Sequence, residues 1–318
     1  MELIFNDISL DTKETIDKYI KPWNCENAEF GFAHLYIWGN NSKIQYAQKD
    51  NCLFLKLNFS TEKAFLWPPF PLNKDVDYKK ALETAFTYIE EKNLNPILRS
   101  VCSPFKEMIA HIFPDTEFYP TRNNFDYMYL SEKLISLKGK KLHSKRNHIN
   151  KFMKLFPDFV YENLTKEHFK ECMELYDIWC MDHKSVSSNQ SDERDSVERA
   201  LLHLKTLNLT GGCIRINGEL KAFTIGEQVL PDMCQIHIEK ASKDFDGLYS
   251  LVNQQYALHN CSNVKYINRE EDMGLEGLRK AKQSYYPDKM VEKFDAAISK
   301  KAKSEASIKK QTCECYCD

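Results

Sequence analysis

Two stretches hold residue types at spacings that can do chemistry. The first, YINREEDMGLEGLRKAKQSYYP (266–287), sets Asn268 and Arg269 at the end of an apolar run. Three acids follow (Glu270, Glu271, Asp272), and Tyr285 stands near the close. A carboxylate at the end of a strand can bind or deprotonate a substrate ammonium. A phenol can donate a proton to a developing anion at neutral pH, the role open to Tyr285. Arg279 and Lys282, three apart, form a cationic face that can meet a phosphate or pair with Glu276. Each has a plainer alternative. Glu270 and Glu271 can simply complement a helix dipole, and Asp272 can be an N-cap. Tyr285 can be a core tyrosine with a satisfied hydroxyl.

The second stretch, KGKKLHSKRNHINKFMK (138–154), carries Lys138, Lys140, Lys141, Lys145, Arg146, Lys151 and Lys154 and no acid, in a chain of net charge −2. On a helix, Lys141, Lys145 and His148 share a face that Lys151 extends, while Leu142, Ile149, Phe152 and Leu155 can anchor another. An anchored row of cations suits a line of phosphates. The alternative is a solvated face balanced by the acids at 192–195, with Arg146 and Asn147 fixing a domain boundary through hydrogen bonds. Glu227 and Glu239, on successive strands 219–229 and 231–241, can face one cleft. His237 alternates with Ile236 and Ile238 and reads as a surface or satisfied histidine. Trp23, Trp38, Trp67 and Trp179 read as core aromatics. The tail cysteines Cys313, Cys315 and Cys317 lack CxxC spacing and are expected to be an oxidation-prone end rather than a metal site. No metal-ligand spacing, Ser-His-Asp arrangement or Walker loop occurs elsewhere, so no metal is expected.

The elements that must position these residues follow from periodicity. Residues 11–40 read as helical. SKIQYAQ and NCLFLKLNF form a hairpin about Asp50-Asn51, and AFLWPPF is a third strand stopped by prolines. Residues 77–94 are an amphipathic helix with Ala81, Leu82, Ala85, Phe86 and Ile89 at helical spacing. PILRSVC is a strand, and Ser103-Pro104 opens a helix with Ser as N-cap. EFYPT and FDYMYL close the first half. After the basic helix come FVYENL as a strand, a helix over 165–183 and a second helix. Three strands follow, the first two joined at Asn217-Gly218, a type I′ turn signal. Then come the helix DGLYSLVNQQYALHN, the strand VKYINRE, the helix LEGLRKAKQSYY and a closing strand MVEKFDAAI.

The 318 residues suffice for two domains, and 42% hydrophobic with 28% charged residues is a folded composition. The net charge excludes a general nucleic-acid coat protein but permits one basic patch. An unpaired count of 11 Cys, an N-terminus without a basic-then-apolar export pattern, and no run of about 18 apolar residues give the expectation of a cytoplasmic protein without a membrane span.

The repeated order of elements resembles the GCN5-related N-acetyltransferase fold. Three stretches narrow the likeness: FAHLYIW, KKLHSKRNHINKF and NREEDMGLEGLRKAKQSYYPDKMVEKF. They resemble the phosphatidylglycerol lysyltransferase C-terminal domain family, related to the Fem-type peptidyltransferases of cell-wall synthesis, over about residues 5–300. The fold class expected is thus α/β with mixed sheets, as two tandem acetyltransferase-like domains. They are placed at 1–137 and 157–300, joined by the basic helix 138–156 and followed by a flexible tail 301–318. The resemblance implies acyl transfer in the second domain, with aminoacyl-tRNA as donor, no tightly bound cofactor, and an amine, peptide or lipid hydroxyl as acceptor. It makes tRNA a possible partner. It also places Ala281 and Tyr285 on the A-x-x-x-Y spacing of acetyltransferases, where the Tyr can protonate the leaving group; the Asn expected before the Ala is Leu278. The pyrophosphate loop of acetyl-CoA enzymes maps to KASKDFDGLYS, 240–250. It offers only Gly247, and Asp244 and Asp246 would repel a pyrophosphate. An acyl-CoA-dependent N-acyltransferase is the alternative enzyme, and an RNA- or partner-binding module is the non-enzymatic one.

Overall fold

The turns at Asp50-Asn51 and Asn217-Gly218 take positive φ at both positions (48° and 56°; 52° and 82°). This is the type I′ geometry whose twist matches two antiparallel strands. Each turn closes a hairpin within a separate sheet. The computed structural model describes residues 2–39, 43–58, 64–182 and 190–297. The tail cysteines and the tail 301–318 lie outside the described residues. Residues up to Phe125 and from Val291 onward make one unit, and Asp126–Met290 make the other.

The first unit runs β1 (Asn6–Asp7), α1 (Lys13–Ile20), α2 (Phe32–Trp38), β2 (Gln45–Lys49), β3 (Cys52–Leu57), β4 (Phe65–Leu66), β5 (Phe70–Pro71), α3 (Tyr78–Glu91), β6 (Leu98–Val101), α4 (Phe105–Ile112) and β7 (Glu117–Pro120). The second runs β8 (Asp126–Leu130), α5 (Ser131–Ser136), α6 (His143–Leu155), β9 (Val160–Asn163), α7 (Phe169–Asp182), α8 (Gln190–Leu202), β10 (Thr210–Ile216), β11 (Glu219–Leu230), β12 (Met233–Ala241), α9 (Leu248–Asn260), β13 (Tyr266–Asn268), α10 (Glu276–Gln283) and β14 (Lys289–Val291). A last strand, β15 (Phe294–Ala297), returns to the first sheet.

The sheet orders are β1-β2-β3-β4-β6-β15-β7, with β5 on β3, and β14-β8-β13-β12-β11-β10-β9. Both are mixed: β4 pairs parallel with β6, and β12 with β13, beside antiparallel neighbours. In the first unit Asp77 caps α3 by accepting from the Lys80 N–H at 3.1 Å. Its Ala81, Leu82, Ala85 and Ile89 are buried. Phe70 meets Phe30 and Phe105 edge-on, each at 4.9 Å, a favourable arrangement for ring quadrupoles.

Three local expectations change. FDYMYL and MVEKFDAAI exchange sheets: β8 pairs antiparallel with β13, and β15 with β6 and β7. The domain limits 1–137 and 157–300 therefore differ from the observed division. A short apolar run announces a strand, but not which distant edge it will complete. Next, α4 starts at Phe105 with Pro104 at its cap, while the Ser103 hydroxyl bonds the Glu107 side chain at 3.0 Å. Last, the basic helix starts at His143, because Gly139 takes φ 93° and turns the chain. Lys141 precedes the helix, and α5 ends just before the stretch read as the boundary.

The core of the second unit lies between the sheet and α9. Leu248, Leu251, Val252 and Tyr256 pack with Ile214, Ile236, Ala241 and Ile267, joined by Ile149 and Phe152 of α6. Burying a side chain such as Phe152 contributes about 2–3 kcal/mol. This anchors the apolar face of the basic helix. Of the four tryptophans, Trp67 is fully buried. Trp179 instead lies under the Lys240 ammonium, 3.5 Å from its ring centre.

Candidate functional site

The site begins where β12 and β13 stop pairing. Their ladder runs from Met233/Tyr266 to Gln235/Asn268, while β12 continues to Ala241. Against β11, Gly226 faces Ile236 and Ile225 faces Ile238, so His237 is an extra residue in a bulge. Such a bulge re-aims the residues after it. Glu239 thereby points to the α9 face, opposite Thr224. Gly226 permits this close packing, since a Cβ there would stand 2.2 Å from the Gln235 carbonyl oxygen and 2.7 Å from the Tyr256 hydroxyl.

Side chains from four segments gather there. Arg269, just past β13, donates from Nη2 to Glu239 Oε1 at 2.9 Å. Asn253 of α9 donates from Nδ2 to Glu239 Oε2 at 3.0 Å. Each side chain of the Arg269–Glu239 pair is 12% exposed. Tyr285 donates to the Ser250 hydroxyl at 3.2 Å, and its ring centre is 5.0 Å from the Arg269 guanidinium. The Lys145 ammonium of α6 stands over the same ring at 4.3 Å. Burial pushes the Tyr285 phenol up, opposed by Arg269 and the Ser250 hydrogen bond. Burial, then Arg269, pulls Lys145 down, opposed by Glu239. Thr224 Oγ1, Asn253 Oδ1 and Arg269 Nη1 are buried with no hydrogen-bond partner among the described residues. Buried polar groups are rarely left so.

The residues singled out from sequence divide into those in this cluster and those that build its frame. Tyr285, Lys145 and Glu239 are in it. Of the two residues at the strand end, Arg269 reaches it, and Asn268 does not. Asn268 is buried, donates to Asp126 at 3.2 Å and accepts from the Glu270 N–H at 2.8 Å. The Asp272 carboxylate accepts from Tyr127, twice from Arg279 and from the Gly274 N–H, at 2.6–2.9 Å. Four bonds fill its acceptor sites, so it pins α10 and Arg279 rather than serving as a base. Burial raises its pKa, but Arg279, Tyr127 and Gly274 outweigh this and hold it at about 2. Lys282 donates to the Arg269 and Glu271 carbonyls and so fixes the strand end.

Glu227 does not share a cleft with Glu239. It lies on the other face, where His237 bonds Glu227 at 3.2 Å and Glu270 at 2.9 Å. Burial would lower that histidine, but the two carboxylates raise it to about 9. The cations of the basic stretch also part ways. Arg146 donates to the Leu137 and Gly139 carbonyls. His148 and Lys151 meet Asp246 at 3.2 and 3.1 Å. Lys141 stands 5.2 Å over the Tyr286 ring. Glu193, among the acids at 192–195, takes Lys240 instead at 2.8 Å. Gly247 begins α9 at φ 90°, and a Cβ there would lie 2.6 Å from the His148 carbonyl oxygen, so α6 packs against that helix start.

Sequence reasoning missed Thr224, Ser250 and Asn253. The signal for the last two was present: polar residues three apart on an otherwise apolar helix face. Thr224 depends on the bulge and left no trace. Glu162, His168 and Cys213 also lie together. However, His168 Nδ1 accepts the Thr165 N–H at 3.1 Å, and Nε2 faces Glu162 at 3.1 Å beside Arg215. Neither nitrogen offers a lone pair to a metal.

Among the described residues no helix is long and apolar enough to cross a membrane. A conserved protein of unknown function from Bacteroides thetaiotaomicron is 33% identical in sequence. Its crystal structure superimposes with TM-score 0.86 over 93% of this chain and 100% of that one. The structure of L-PGS from Bacillus licheniformis is 13% identical with TM-score 0.64, over 93% of this chain and 94% of that one. That of FemX is 10% identical with TM-score 0.56, over 96% and 99%. These last two show the fold alone, an α/β arrangement with two mixed sheets. An uncharacterized protein of Mycoplasmoides gallisepticum is 25% identical over 176 residues, 53% of this chain and 54% of that relative's length. The chain thus spans about half the length of that curated relative. The model of the phosphatidylglycerol lysyltransferase C-terminal family matches residues 23–297. The chain belongs to the phosphatidylglycerol lysyltransferase C-terminal family.

Proposed function

We propose that the second unit transfers an aminoacyl group from aminoacyl-tRNA to an amine or lipid hydroxyl acceptor, at the cytoplasmic side where charged tRNA is available. The observation that carries this reading is the meeting of Lys145 with Tyr285 beside the Arg269–Glu239 pair. It joins a cation of the basic stretch to a phenol at an opening between parallel strands, a usual place for sites in such sheets. Membership of a lysyltransferase family supports the reaction class.

In this reading the acceptor nitrogen or oxygen attacks the ester carbonyl carbon. The new bond forms, the bond to the ribose oxygen breaks, and Tyr285 gives a proton to that oxygen. Arg269 steadies the negative charge on the carbonyl oxygen during attack. The acceptor's own proton leaves to solvent water, while Lys145 stays a cation over the Tyr285 ring. Lys141 and Lys145 meet the donor phosphates. Asp272, Arg279, Lys282 and Asn268 hold the frame, and no tightly bound cofactor is required.

The Ala281–Tyr285 spacing also favours a second reading, acyl-CoA as donor. Against it stand the α6 backbone packed at Gly247 and the Asp246 carboxylate beside it, where a pyrophosphate would meet negative charge. The test is transfer of radiolabelled aminoacyl groups from a pool of charged tRNAs to amine and lipid acceptors, with calorimetry of acetyl-CoA alongside. Label moving to an acceptor supports the first reading. Inertness with every charged tRNA, together with micromolar CoA binding, establishes the second. A protein inert in both that still binds RNA through its lysines is a binding module.

A further inference from the structure

Three buried polar atoms without a partner among the described residues adjoin a single carboxylate in the second unit. Thr224, with no exposed surface, stands opposite Glu239 in the β11–β12 ladder. Asn253, 1% exposed, commits Nδ2 to Glu239. Because a carboxylate only accepts, this fixes the amide with Oδ1 as the outward acceptor. Arg269 commits Nη2 to Glu239 and leaves Nη1 as a donor. Acceptors and negative charge therefore gather on the β11–β12–α9 side, and one cationic donor on the β13 side.

We infer that Thr224, Asn253 and Glu239 seat a free α-ammonium group, while Arg269 Nη1 holds the carbonyl oxygen next to it. The proposal rests on the aminoacyl reading above and sharpens it: the site takes α-amino acid esters and rejects those whose amino group is blocked. An α-aminoacyl group carries three N–H donors and a positive charge one carbon away from a carbonyl acceptor. It satisfies the Thr224 hydroxyl, the Asn253 carbonyl and the Arg269 N–H together. A plain acyl chain leaves the first two unsatisfied away from water, and an N-acylated amino acid loses the charge and two donors. A site built on buried polar groups rejects ligands that leave them unpaired.

The test uses L-alanine amide and N-acetyl-L-alanine amide as probes, titrated by NMR into the full chain, its Thr224→Val variant and its Thr224→Ser variant. Valine keeps the shape and removes a hydroxyl that has no partner among the described residues, so the melting temperature is expected to equal or exceed that of the unmodified protein. Unmodified protein is expected to bind the free amide at least about tenfold more tightly than the acetylated one, the worth of one hydrogen bond to a charged group. Thr224→Val loses that preference, and Thr224→Ser restores it. Equal binding of the two probes, no binding of either, or a Thr224→Val protein that melts lower or binds as before overturns the inference. The two readings fail separately. If label moves from charged tRNA but the free amide is not preferred, the seat is wrong and the transfer reading stands. If the preference holds but no label moves, the transfer reading is wrong.

Discussion

Arg99 and Arg269 hold matching places in the two units. Each belongs to a strand of a parallel pair, or directly follows it, and each precedes a residue at positive φ: Ser100 at 56° and Glu270 at 57°. Their surroundings differ. The Arg99 guanidinium lies 4.3 Å over the Phe65 ring, and the helix before its strand, α3, buries Ala81, Leu82, Ala85 and Ile89. Arg269 is held by Glu239, and the helix before its strand, α9, buries Ser250 and Asn253 among its apolar residues. Arg99 thus stacks on an aromatic ring with the Asp295 carboxylate 3.9 Å away, whereas Arg269 holds a carboxylate that buried polar groups of β11 and α9 adjoin. Departures from good packing cluster at working sites, so the contrast supports the proposal that the second unit carries the chemistry.

Substitutions can break this contrast. The largest effect is expected in the first unit, on stability alone. Phe105→Ala should cost about 3–5 kcal/mol in denaturant unfolding by opening the aromatic core, with the specific activity of the folded fraction unchanged. Lost activity in protein that remains folded would give the first unit a part in the chemistry. Next, Arg269→Met should slow transfer about 100-fold or more, as loss of a donor to a developing oxyanion does. Arg99→Met should stay within about twofold, on the usual scale for changes away from a site. Single-turnover rates for the pair decide it, and equal losses would erase the distinction.

Two pH effects follow within the second unit. The folded pKa of Asp272 is lowered to about 2 from 3.8. Its contribution is therefore present above about pH 4 and lost as pH falls through 2, about 2 kcal/mol in all. His237 is raised from 6.5 to about 9, so its contribution is full below 6.5 and lost as pH rises through 9. Melting curves across pH should show both limbs. Asp272→Asn should flatten the acid one, and His237→Gln the alkaline one. The smallest effect separates the cations. Lys145→Ala should raise KM for charged tRNA about tenfold, and Lys151→Ala, whose ammonium is tied to Asp246, about twofold or less.

Much of the fold was legible where local rules decide it. The two type I′ turns, the amphipathic α3 and the apolar stripe of α6 follow from a few residues each. The exchange of β8 and β15 between sheets was not, because a strand's partner is set by distant edges. In the site, the end of β13 and Tyr285 stood out in the sequence, and the structure brings Arg269 and Tyr285 together. Asp272 was open between a base and an N-cap and Lys282 between a phosphate contact and a pair with Glu276, since sequence shows a charge but not the hydrogen bonds that consume it. Thr224 was invisible because one extra residue in β12 decides which face Glu239 takes.

The central claim is that the Tyr285–Arg269–Glu239 cluster carries aminoacyl transfer. The most direct measurement is single-turnover transfer of a labelled aminoacyl group from charged tRNA by the full chain and by Tyr285→Phe at matched folded fraction. Transfer by the unmodified protein is expected, with a rate about 100-fold or more lower without the phenol, the usual worth of a positioned proton donor. Equal rates in the two proteins would contradict it.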